Sequence, residues 1–409
     1  MQLTCYRIEP SHWLYRLMSV CALCLAFCLP ISISVYSIGL RLLVVFAFFI
    51  LNFKDYCRQV FMNPLTGFIL AFFCVLLLGQ TYSHNVQYGW VDLHRYSKLI
   101  CLPLLMPLFM NEKLRSKMID AFVLGVSVVV LLTYLKVLHL YDFSPGALPG
   151  VGFTNHIDTS FVVALACFFV FRAIDWSQKQ TYWRIAVFVF LTFYLFFIND
   201  GRMGYAVFMG LACLYCLQTF RLYYAAIALI SCLLFLLIVY YFSLPVHAVV
   251  NKGFQDFMQT WQGHDNVGSI GVRLTFWRNS IALFKEAPWF GYGTGSYGHI
   301  YQAKQFWINS DVGDMRTGDN DYLFVLVQFG LVGLIIYLSL FVLMAYMTQQ
   351  LDKPLRYFAQ GNLLAIMIAQ VFNAALYRSM IGTTFVVFSA VLLAAYLDRK
   401  GSSHADQFT

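Results

Sequence analysis

Long apolar stretches without charge recur from one end of this chain to the other, for example at 68–78 and 331–347. Hydrophobic residues make up 60% of the 409 residues and charged residues 11%, whereas soluble domains have about 45–50% and about 25%. So little charge excludes a soluble enzyme, a disordered protein and a nucleic-acid-binding protein. The stretches are continuous rather than alternating, which also excludes a membrane β-barrel. The sequence therefore predicts a polytopic membrane protein made of helices.

The apolar stretches predict an all-α transmembrane bundle of about 12 spans, because one span needs about 17–25 residues. The predicted spans lie near 14–35, 38–53, 64–81, 96–110, 118–140, 157–173, 182–198, 203–219, 222–243, 321–347, 356–376 and 380–397. The fourth is short and carries Pro103 and Pro107, which neighbouring helices or a water-filled cavity must compensate. It is therefore predicted to lie in the interior. The predicted domains are spans 1–9 at 1–243, a long helical outer loop at 244–320, spans 10–12 at 321–397 and an inner tail at 398–409.

The basic residues predict the orientation of these spans. The chain has 27 Lys and Arg against 19 Asp and Glu, a formal net charge of +8. With the N-terminus inside, most basic residues of the short segments fall on the inner side, as the positive-inside rule requires. Both termini are therefore predicted to lie on the inner side of the membrane.

The cysteines and histidines predict no metal site. Two cysteine pairs have redox or metal spacing, but they lie in apolar helical sequence without histidine partners, and we interpret them as small buried apolar residues. These pairs are Cys21-x-x-Cys24 and Cys213-x-x-Cys216. No two histidines on the outer side have a metal-ligand spacing such as H-x-x-x-H. Those histidines are His84, His94, His156, His264 and His299.

The segment 244–320 is the only long stretch predicted to lie outside the bilayer. A structureless loop of that length is unusual, so packed helices and a functional role are expected. Arg273, Trp277 and Phe284 fall on one helical face, and Pro288 ends the pattern. The segment is thus predicted to contain amphipathic helices at the membrane surface.

Within this loop, Gly293-Thr-Gly295-Ser-Tyr-Gly298 matches the dinucleotide-binding pattern G-x-G-x-x-G. That pattern binds a nucleotide only between a strand and a helix of a βαβ unit, and neither context is predicted here. No cofactor is therefore expected. The glycines are interpreted as residues that let the backbone turn sharply.

Lysine and arginine side chains at membrane depth are costly, so each must reach the interface, form a pair or serve a function. Lys98 lies in the proline-containing fourth span, and Arg202 lies in a tight turn between two apolar helices. Both are candidates for function, with an ion pair such as Arg202 with Asp200 as the structural alternative. Arg378, in the turn of the last helical hairpin, is left open between the two roles.

Asp319, Asn320 and Asp321 precede the tenth predicted span. A carboxylate or amide at a helix start is suited to capping, which explains one of the three. Asp319 is therefore left with two interpretations, a catalytic group or a cap. The helix N-terminus and nearby Arg316 are expected to lower the pKa of its carboxyl group and keep it ionised well below neutral pH.

In their order and spacing, these motifs resemble the superfamily of bacterial O-antigen ligases and O-antigen polymerases. The resemblance rests on Gly271-Val-Arg273-Leu-Thr-Phe-Trp277, Pro288-Trp-Phe-Gly291-Tyr-Gly293-Thr-Gly295 and Asp319-Asn320-x9-Gly330-x-x-Gly333. Arg202 in a short outer turn and Lys98 in an early span also match. One departure is that the superfamily usually has His where this chain has Asp319.

The resemblance implies a glycosyltransferase that moves O-antigen polysaccharide from undecaprenyl diphosphate to the lipid A core. It implies a bacterial inner-membrane protein with cytoplasmic termini and a periplasmic active site, without a metal, nucleotide sugar or other cofactor. The implied partners are the lipid-linked glycan donor, the lipid A core acceptor and membrane lipids, with no nucleic acid.

The resemblance also implies roles for individual residues. Asp319 would orient or deprotonate the acceptor hydroxyl, and the catalytic cations Arg202 and Arg273 would neutralise the departing diphosphate. The predicted substrate-binding group is Lys98, Arg202, Arg273, Arg316, Asn320 and His299. His299 and His156 are the next candidates for the base. We expect Arg202, Arg273 and Asp319 to converge within about 10–15 Å.

Two alternatives stay open. An O-antigen polymerase or a protein O-oligosaccharyltransferase of the same superfamily shares the fold and donor and differs in the acceptor. A lipid or polysaccharide transporter would more often show related halves and broken helices with polar groups near the membrane midplane. Here the candidate residues gather at the outer mouth of the bundle instead, which favours a transferase.

Overall fold

A computed structural model describes residues 13–141, 154–175, 177, 181–262, 268–304, 306 and 317–405. Every regular element in these ranges is a helix, which confirms the predicted all-α class for this part of the chain. The helices are α1 (Trp13–Cys28), α2 (Ile33–Ile50), α3 (Phe53–Phe61), α4 (Pro64–Thr81), α5 (Val86–Tyr96), α6 (Lys98–Leu105), α7 (Glu112–Val137), α8 (His156–Arg172), α9 (Thr181–Phe197), α10 (Arg202–Thr219), α11 (Leu222–Phe242), α12 (Leu244–Trp261), α13 (Gly268–Glu286), α14 (Tyr297–Ala303), α15 (Asp321–Gln349), α16 (Lys353–Phe372) and α17 (Ser379–Ala405). A 3₁₀ turn, Met106–Phe109, follows α6.

Within the described ranges, five helices are long and apolar enough to cross a membrane: α2, α4, α7, α15 and the Ser379–Leu397 part of α17. A sixth candidate is the pair Ala226–Phe242 and Leu244–Trp261, which is bent by 97°. The predicted number of twelve spans is therefore not confirmed. Helix length is one physical reason. The helices α8 and α9 have 17 residues each, roughly 25 Å of helix against a hydrocarbon core of about 30 Å.

The helices α8 and α6 both contribute to the interior of the bundle. Residues 158–170 of α8 are all buried, and α8 packs against α9 and α10. The short helix α6 contains Pro103, buries Leu99 and Leu102, and packs against α17. The proline-containing segment thus lies in the interior, as the sequence predicted. Polar residues at the ends of these two helices are consequently held by a packed core.

The glycine-rich segment 288–296 is fixed between α4 and α15 by backbone hydrogen bonds. The amide of Gly293 donates to the Gln328 carbonyl (2.8 Å), and the amide of Thr294 donates to the Gly79 carbonyl (3.0 Å). Gly293 has a φ of 89°, in the left-handed region that favours glycine. The G-x-G-x-x-G pattern therefore forms a tight turn between helices, and no strand precedes it in the described part of the chain.

Gly330 interrupts α15 with a φ of 61° and a ψ of −161°, a combination that is essentially restricted to glycine. A side chain there would also overlap the Trp289 carbonyl group. We expect Gly330→Ala to lower the free energy of unfolding by about 1–3 kcal/mol from backbone strain alone. Thermal unfolding of the purified protein in detergent measures this loss.

Gly67 of α4 provides the matched control, because an added Cβ there meets no atom within 4 Å. The same substitution, Gly67→Ala, is expected to leave stability unchanged or to raise it, since alanine favours a helix by roughly 1 kcal/mol over glycine. Equal melting temperatures for the two variants would show that the kink at Gly330 carries no strain.

Candidate active site

A cavity of about 760 Å³ lies between the first residues of α8 and α10 and the helices α12 and α13. Apolar side chains form much of its wall. The charged, histidine and tryptophan side chains that line it are His156, Asp200, Arg202, Lys252, Arg273 and Trp277. Two arginines that the sequence predicted as functional, on different helices and far apart in the chain, therefore line one cavity.

Arg202 is the first residue of α10, and the turn before it is held by Asn199. The side-chain oxygen of Asn199 accepts a hydrogen bond from the Gly201 amide (2.7 Å). Nη1 of Arg202 lies 3.9 Å from Oδ2 of Asp256 and has no hydrogen-bond partner. The ion-pair partner within the described residues is thus Asp256 and not Asp200, the partner considered from the sequence. A pair this long leaves the guanidinium able to bind an anion in the cavity.

Arg273 extends from the second turn of α13 toward Asp319. Its Nη1 donates to the Ser269 hydroxyl (3.2 Å), and its Nε lies 3.6 Å from Oδ2 of Asp319. Burial lowers the pKa of Arg273, Asp319 acts in the opposite direction, and the cations Arg202 and Arg378 add to the lowering. The guanidinium remains charged at any physiological pH. Arg273 therefore lines the cavity with Arg202 and also contacts Asp319, while the separation of about 10–15 Å for all three stays a prediction.

Asp319 is not the cap of α15. The side-chain oxygen of Asn320 accepts the hydrogen bond from the Leu323 amide (3.0 Å), and this makes Asn320 the N-cap. Asp319 precedes it with a φ of 50°, a left-handed conformation that Asp, Asn and His adopt more readily than most residues. The capping interpretation of Asp319 is wrong, and its carboxylate contacts Arg273 instead.

The pKa of the Asp319 carboxyl group also differs from the expectation. Burial raises it above the ordinary value of 3.8, although Arg273 and then Arg378 act to lower it. The expected lowering by the helix N-terminus is therefore wrong, because the loss of hydration outweighs the nearby positive charge. A raised pKa makes Asp319 a stronger base than an exposed aspartate.

Asn320 is packed into the bundle. Its side-chain nitrogen donates to the Val371 carbonyl (3.0 Å) at the end of α16, and the residue is buried. With its cap to Leu323, this contact joins the start of α15 to α16. These contacts give Asn320 a structural role at the start of α15, whereas the resemblance placed it among the substrate-binding residues.

Lys98 is not among the residues that line the cavity. Its ammonium group donates to the carbonyl oxygens of Arg378 (2.7 Å) and Tyr377 (3.4 Å), in the turn between α16 and α17. The structure therefore places Lys98 beneath this turn, where it holds the backbone that carries Arg378.

Arg378 lies beside the predicted site, although the sequence left its role open. Its Nη1 lies 3.1 Å from Oδ1 of Asp158 in the first turn of α8, and its Nε donates to Asn373 (3.0 Å). It also acts electrostatically on Arg273 and Asp319. A charged residue at the start of an apolar helix, as at Asp158, was the signal that could have indicated this pair.

The remaining predicted residues divide between different places. His299 is exposed on α14, where its ring stacks on that of His84 with 6.3 Å between centroids, and it does not line the cavity. His156 does line the cavity, as does Lys252 of α12, a cation that the sequence analysis did not single out. Arg316 lies outside the described residues.

The cavity combines cations, a carboxylate and an apolar wall. In the described part of the chain, no group of three His, Cys, Asp or Glu residues is arranged to hold a metal ion. Two guanidinium groups can bind a phosphate or diphosphate through charge-assisted hydrogen bonds. The carboxylate of Asp319, beside Arg273, can accept a proton from a hydroxyl group.

The apolar helices and this cavity define a helical membrane protein with a cation-lined cavity at one end of helices α8 and α10. Residues 186–338 match the family model described as O-antigen ligase. This region includes Arg202, Arg273 and Asp319, and the match confirms the resemblance of the motifs to the O-antigen ligase superfamily. The family implies an enzyme of the membrane glycosyltransferase type. No curated protein matches the chain.

Proposed function

We propose that this protein is a glycosyltransferase that moves O-antigen polysaccharide from undecaprenyl diphosphate to the lipid A core. The observation that supports it best is that Arg202 and Arg273 line one cavity and that Arg273 also contacts the Asp319 carboxylate. A diphosphate leaving group needs cations, and an acceptor hydroxyl needs a base. The two arginines and the Asp319 carboxylate beside Arg273 provide both, and all three lie in the region that matches the O-antigen ligase family.

The proposal includes the arrangement in the membrane. Residues 1–243 and 321–397 form the bundle in the bacterial inner membrane, and 244–320 covers the cavity on the periplasmic side. The inner tail at 398–409 and the N-terminus lie in the cytoplasm. A long polysaccharide can extend from the cavity into the periplasm, while the polyprenyl tail stays among the apolar helices.

In the proposed reaction, the donor diphosphate binds between Arg202 and Arg273, and Lys252 adds positive charge at the same wall. The bond between the sugar C1 and the diphosphate oxygen breaks, and its electron pair leaves with the diphosphate. Fixed guanidinium groups stabilise this developing charge more in the transition state than in the bound donor, which is the condition for faster transfer. The reaction needs no metal ion in this scheme.

On the acceptor side, the hydroxyl oxygen forms the new bond to C1 while its proton passes to the Asp319 carboxylate. The sugar carries positive charge at C1 in such a transition state, so the hydroxyl becomes acidic only late. The contact with Arg273 orients the carboxylate. Arg378, paired with Asp158, acts as a positioning residue because it fixes the charge around both groups.

The acceptor decides between this enzyme and its relatives. Purified protein in nanodiscs is incubated with an undecaprenyl diphosphate-linked glycan and, in separate reactions, with lipid A core, with a second lipid-linked glycan and with a serine-containing protein. We expect product only with lipid A core. Product with the second glycan or with the protein would instead identify a polymerase or a protein O-oligosaccharyltransferase. No product with any acceptor, together with donor movement across vesicles, would identify a transporter.

The transfer rate is expected to rise with pH through the pKa of Asp319, because only the ionised carboxylate accepts a proton. Burial raises that pKa, so the acidic limb lies above the range of an exposed aspartate. In Asp319→His, the limb moves toward about 6.5, the ordinary value for histidine. The pH profile of kcat/KM measures both limbs. Identical limbs in the two proteins would place the titrating group elsewhere.

A further inference from the structure

A second cavity, of about 670 Å³, lies between α8, α9, α10 and α11. Its residues on α8 fall between 164 and 171, and those on α10 between 208 and 219, whereas the candidate active site touches the first residues of both helices. The two cavities therefore lie at opposite ends of α8 and α10. The proposed transferase reaction uses no residue of the second cavity.

The wall of this second cavity is almost wholly apolar. It is built mainly from phenylalanine, alanine, leucine and cysteine side chains, and its few polar groups are hydroxyls, such as those of Thr192, Thr219 and Ser231. In a membrane, a cavity of this size and composition is suited to hydrocarbon rather than to water or a sugar. An acyl chain is the apolar ligand that every membrane supplies.

Arg172, the last residue of α8, marks one end of this cavity. Its guanidinium lies 3.9 Å from the ring centre of Tyr357 and 5.0 Å from that of Tyr215, and its Nη1 donates to the Thr219 hydroxyl (3.1 Å). Tyr215 and Thr219 also line the cavity. Arg172 forms no ion pair with a described acidic residue. A positive charge near membrane depth without an acidic partner calls for an anionic ligand.

We propose that the second cavity binds an anionic diacyl phospholipid, with an acyl chain in the cavity and the phosphate on Arg172 and Thr219. Ser231 and Cys232 of α11 form part of the wall, so the lipid packs α11 against α8 and α10. The single cation fits one phosphate, whereas the candidate active site presents Arg202, Arg273 and Lys252 to a diphosphate. The site is independent of the proposed transferase activity.

Native mass spectrometry of the full chain tests this proposal. The protein is purified, exchanged into detergent and titrated separately with phosphatidylglycerol and phosphatidylcholine. We expect one tightly retained phospholipid and a preference for phosphatidylglycerol. Arg172→Gln should reduce that preference roughly fivefold, the factor that one basic residue near an anionic headgroup supplies. Arg221→Gln removes a charge just before α11 and is the matched control, expected to keep the preference.

A second variant tests the acyl-chain cavity itself. Ala212 lines it, so Ala212→Trp fills the space and should abolish the retained lipid while leaving Arg172 unchanged. If this variant is unstable, shortening the acyl chains of the titrated lipids makes the same test on the unaltered protein, and retention should fall with chain length. Equal lipid preference in Arg172→Gln and in Arg221→Gln would overturn the proposal. The proposal would also be overturned if lipid retention were unchanged both in Ala212→Trp and with shorter acyl chains. Retention of a polyprenyl diphosphate in place of a phospholipid would overturn it as well.

Discussion

Asp319→Asn is expected to lower the rate of glycan transfer by about 10²–10⁴, the factor that a positioned general base contributes. The amide has nearly the same size as the carboxylate but cannot accept the proton. Folding should be unaffected, because asparagine tolerates the left-handed φ at this position and the cap of α15 is Asn320. Transfer to lipid A core by purified protein in nanodiscs measures the loss.

Asp319→His completes this test, since His is the residue that the superfamily usually has here and histidine also adopts left-handed backbone more readily than most residues. This variant is expected to retain part of the activity. Glu286→Gln is the matched control, because Glu286 is a carboxylate of the same loop that pairs with Lys304 (2.8 Å) on the exposed surface. Wild-type transfer by Asp319→Asn would show that another group takes the proton, with His156 at the cavity wall as the first candidate.

Arg273→Lys is expected to lower transfer by about 10²-fold, comparable to the loss of one donor from an oxyanion site. Lysine keeps the charge but lacks the planar pair of donors that contacts two phosphate oxygens at once. The substitution also removes the Nε that lies 3.6 Å from Asp319, so the base loses its orienting contact. The rate with saturating donor and the donor KM separate transition-state stabilisation from binding.

Arg278→Lys makes the same substitution on the same helix, at an exposed position that does not line the cavity. Lysine keeps the charge there, so transfer should stay within about twofold of wild type. Membrane levels of both variants are compared before rates. If Arg273→Lys transfers glycan as fast as Arg278→Lys, Arg273 has a structural role and the diphosphate must bind elsewhere.

The central part of the site could be predicted from the sequence because its chemistry leaves local signals. Arg202 is a charge in a short turn between apolar helices, Arg273 belongs to the motif Arg273-Leu-Thr-Phe-Trp277 of the outer loop, and Asp319 belongs to a polar cluster at the start of an apolar helix. Such charges are costly in a membrane protein, so they indicate function before any contact is known.

The residues that the sequence analysis missed or placed elsewhere depend on tertiary contacts. Lys98 was predicted to bind substrate, and only the structure shows that its ammonium group donates hydrogen bonds to the carbonyl oxygens of Tyr377 and Arg378. Lys252 and Asp256 lie on α12, which is bent by 97° from α11. The hydropathy pattern of the sequence does not predict this bend. The backbone angles, together with the hydrogen bond from the Leu323 amide, identify Asn320 and not Asp319 as the cap of α15.

The number of spans could not be predicted for a related reason. Hydropathy identifies apolar segments, but it does not show where a segment bends or how much of it a neighbouring helix covers. Residues 158–170 of α8 are all buried by protein, so the apolar sequence of this helix reflects packing inside the bundle. An interior helix of 17 residues can satisfy the same hydropathy pattern as a full span.

The segment 288–296, which backbone hydrogen bonds fix to α4 and α15, holds one end of α13 in place. This fixed segment begins two residues after α13 ends at Glu286, so the C-terminal end of α13 is anchored and its N-terminal end can tilt. Arg273 lies 13 residues from Glu286, an arm of roughly 20 Å at 1.5 Å per residue. A tilt of about 5° therefore moves the guanidinium by about 2 Å relative to Asp319, and a misplacement of about 1 Å can cost 10²-fold in rate. A small rotation of α13 about this fixed point thus changes the distance between Arg273 and Asp319 without any rearrangement of α4 or α15.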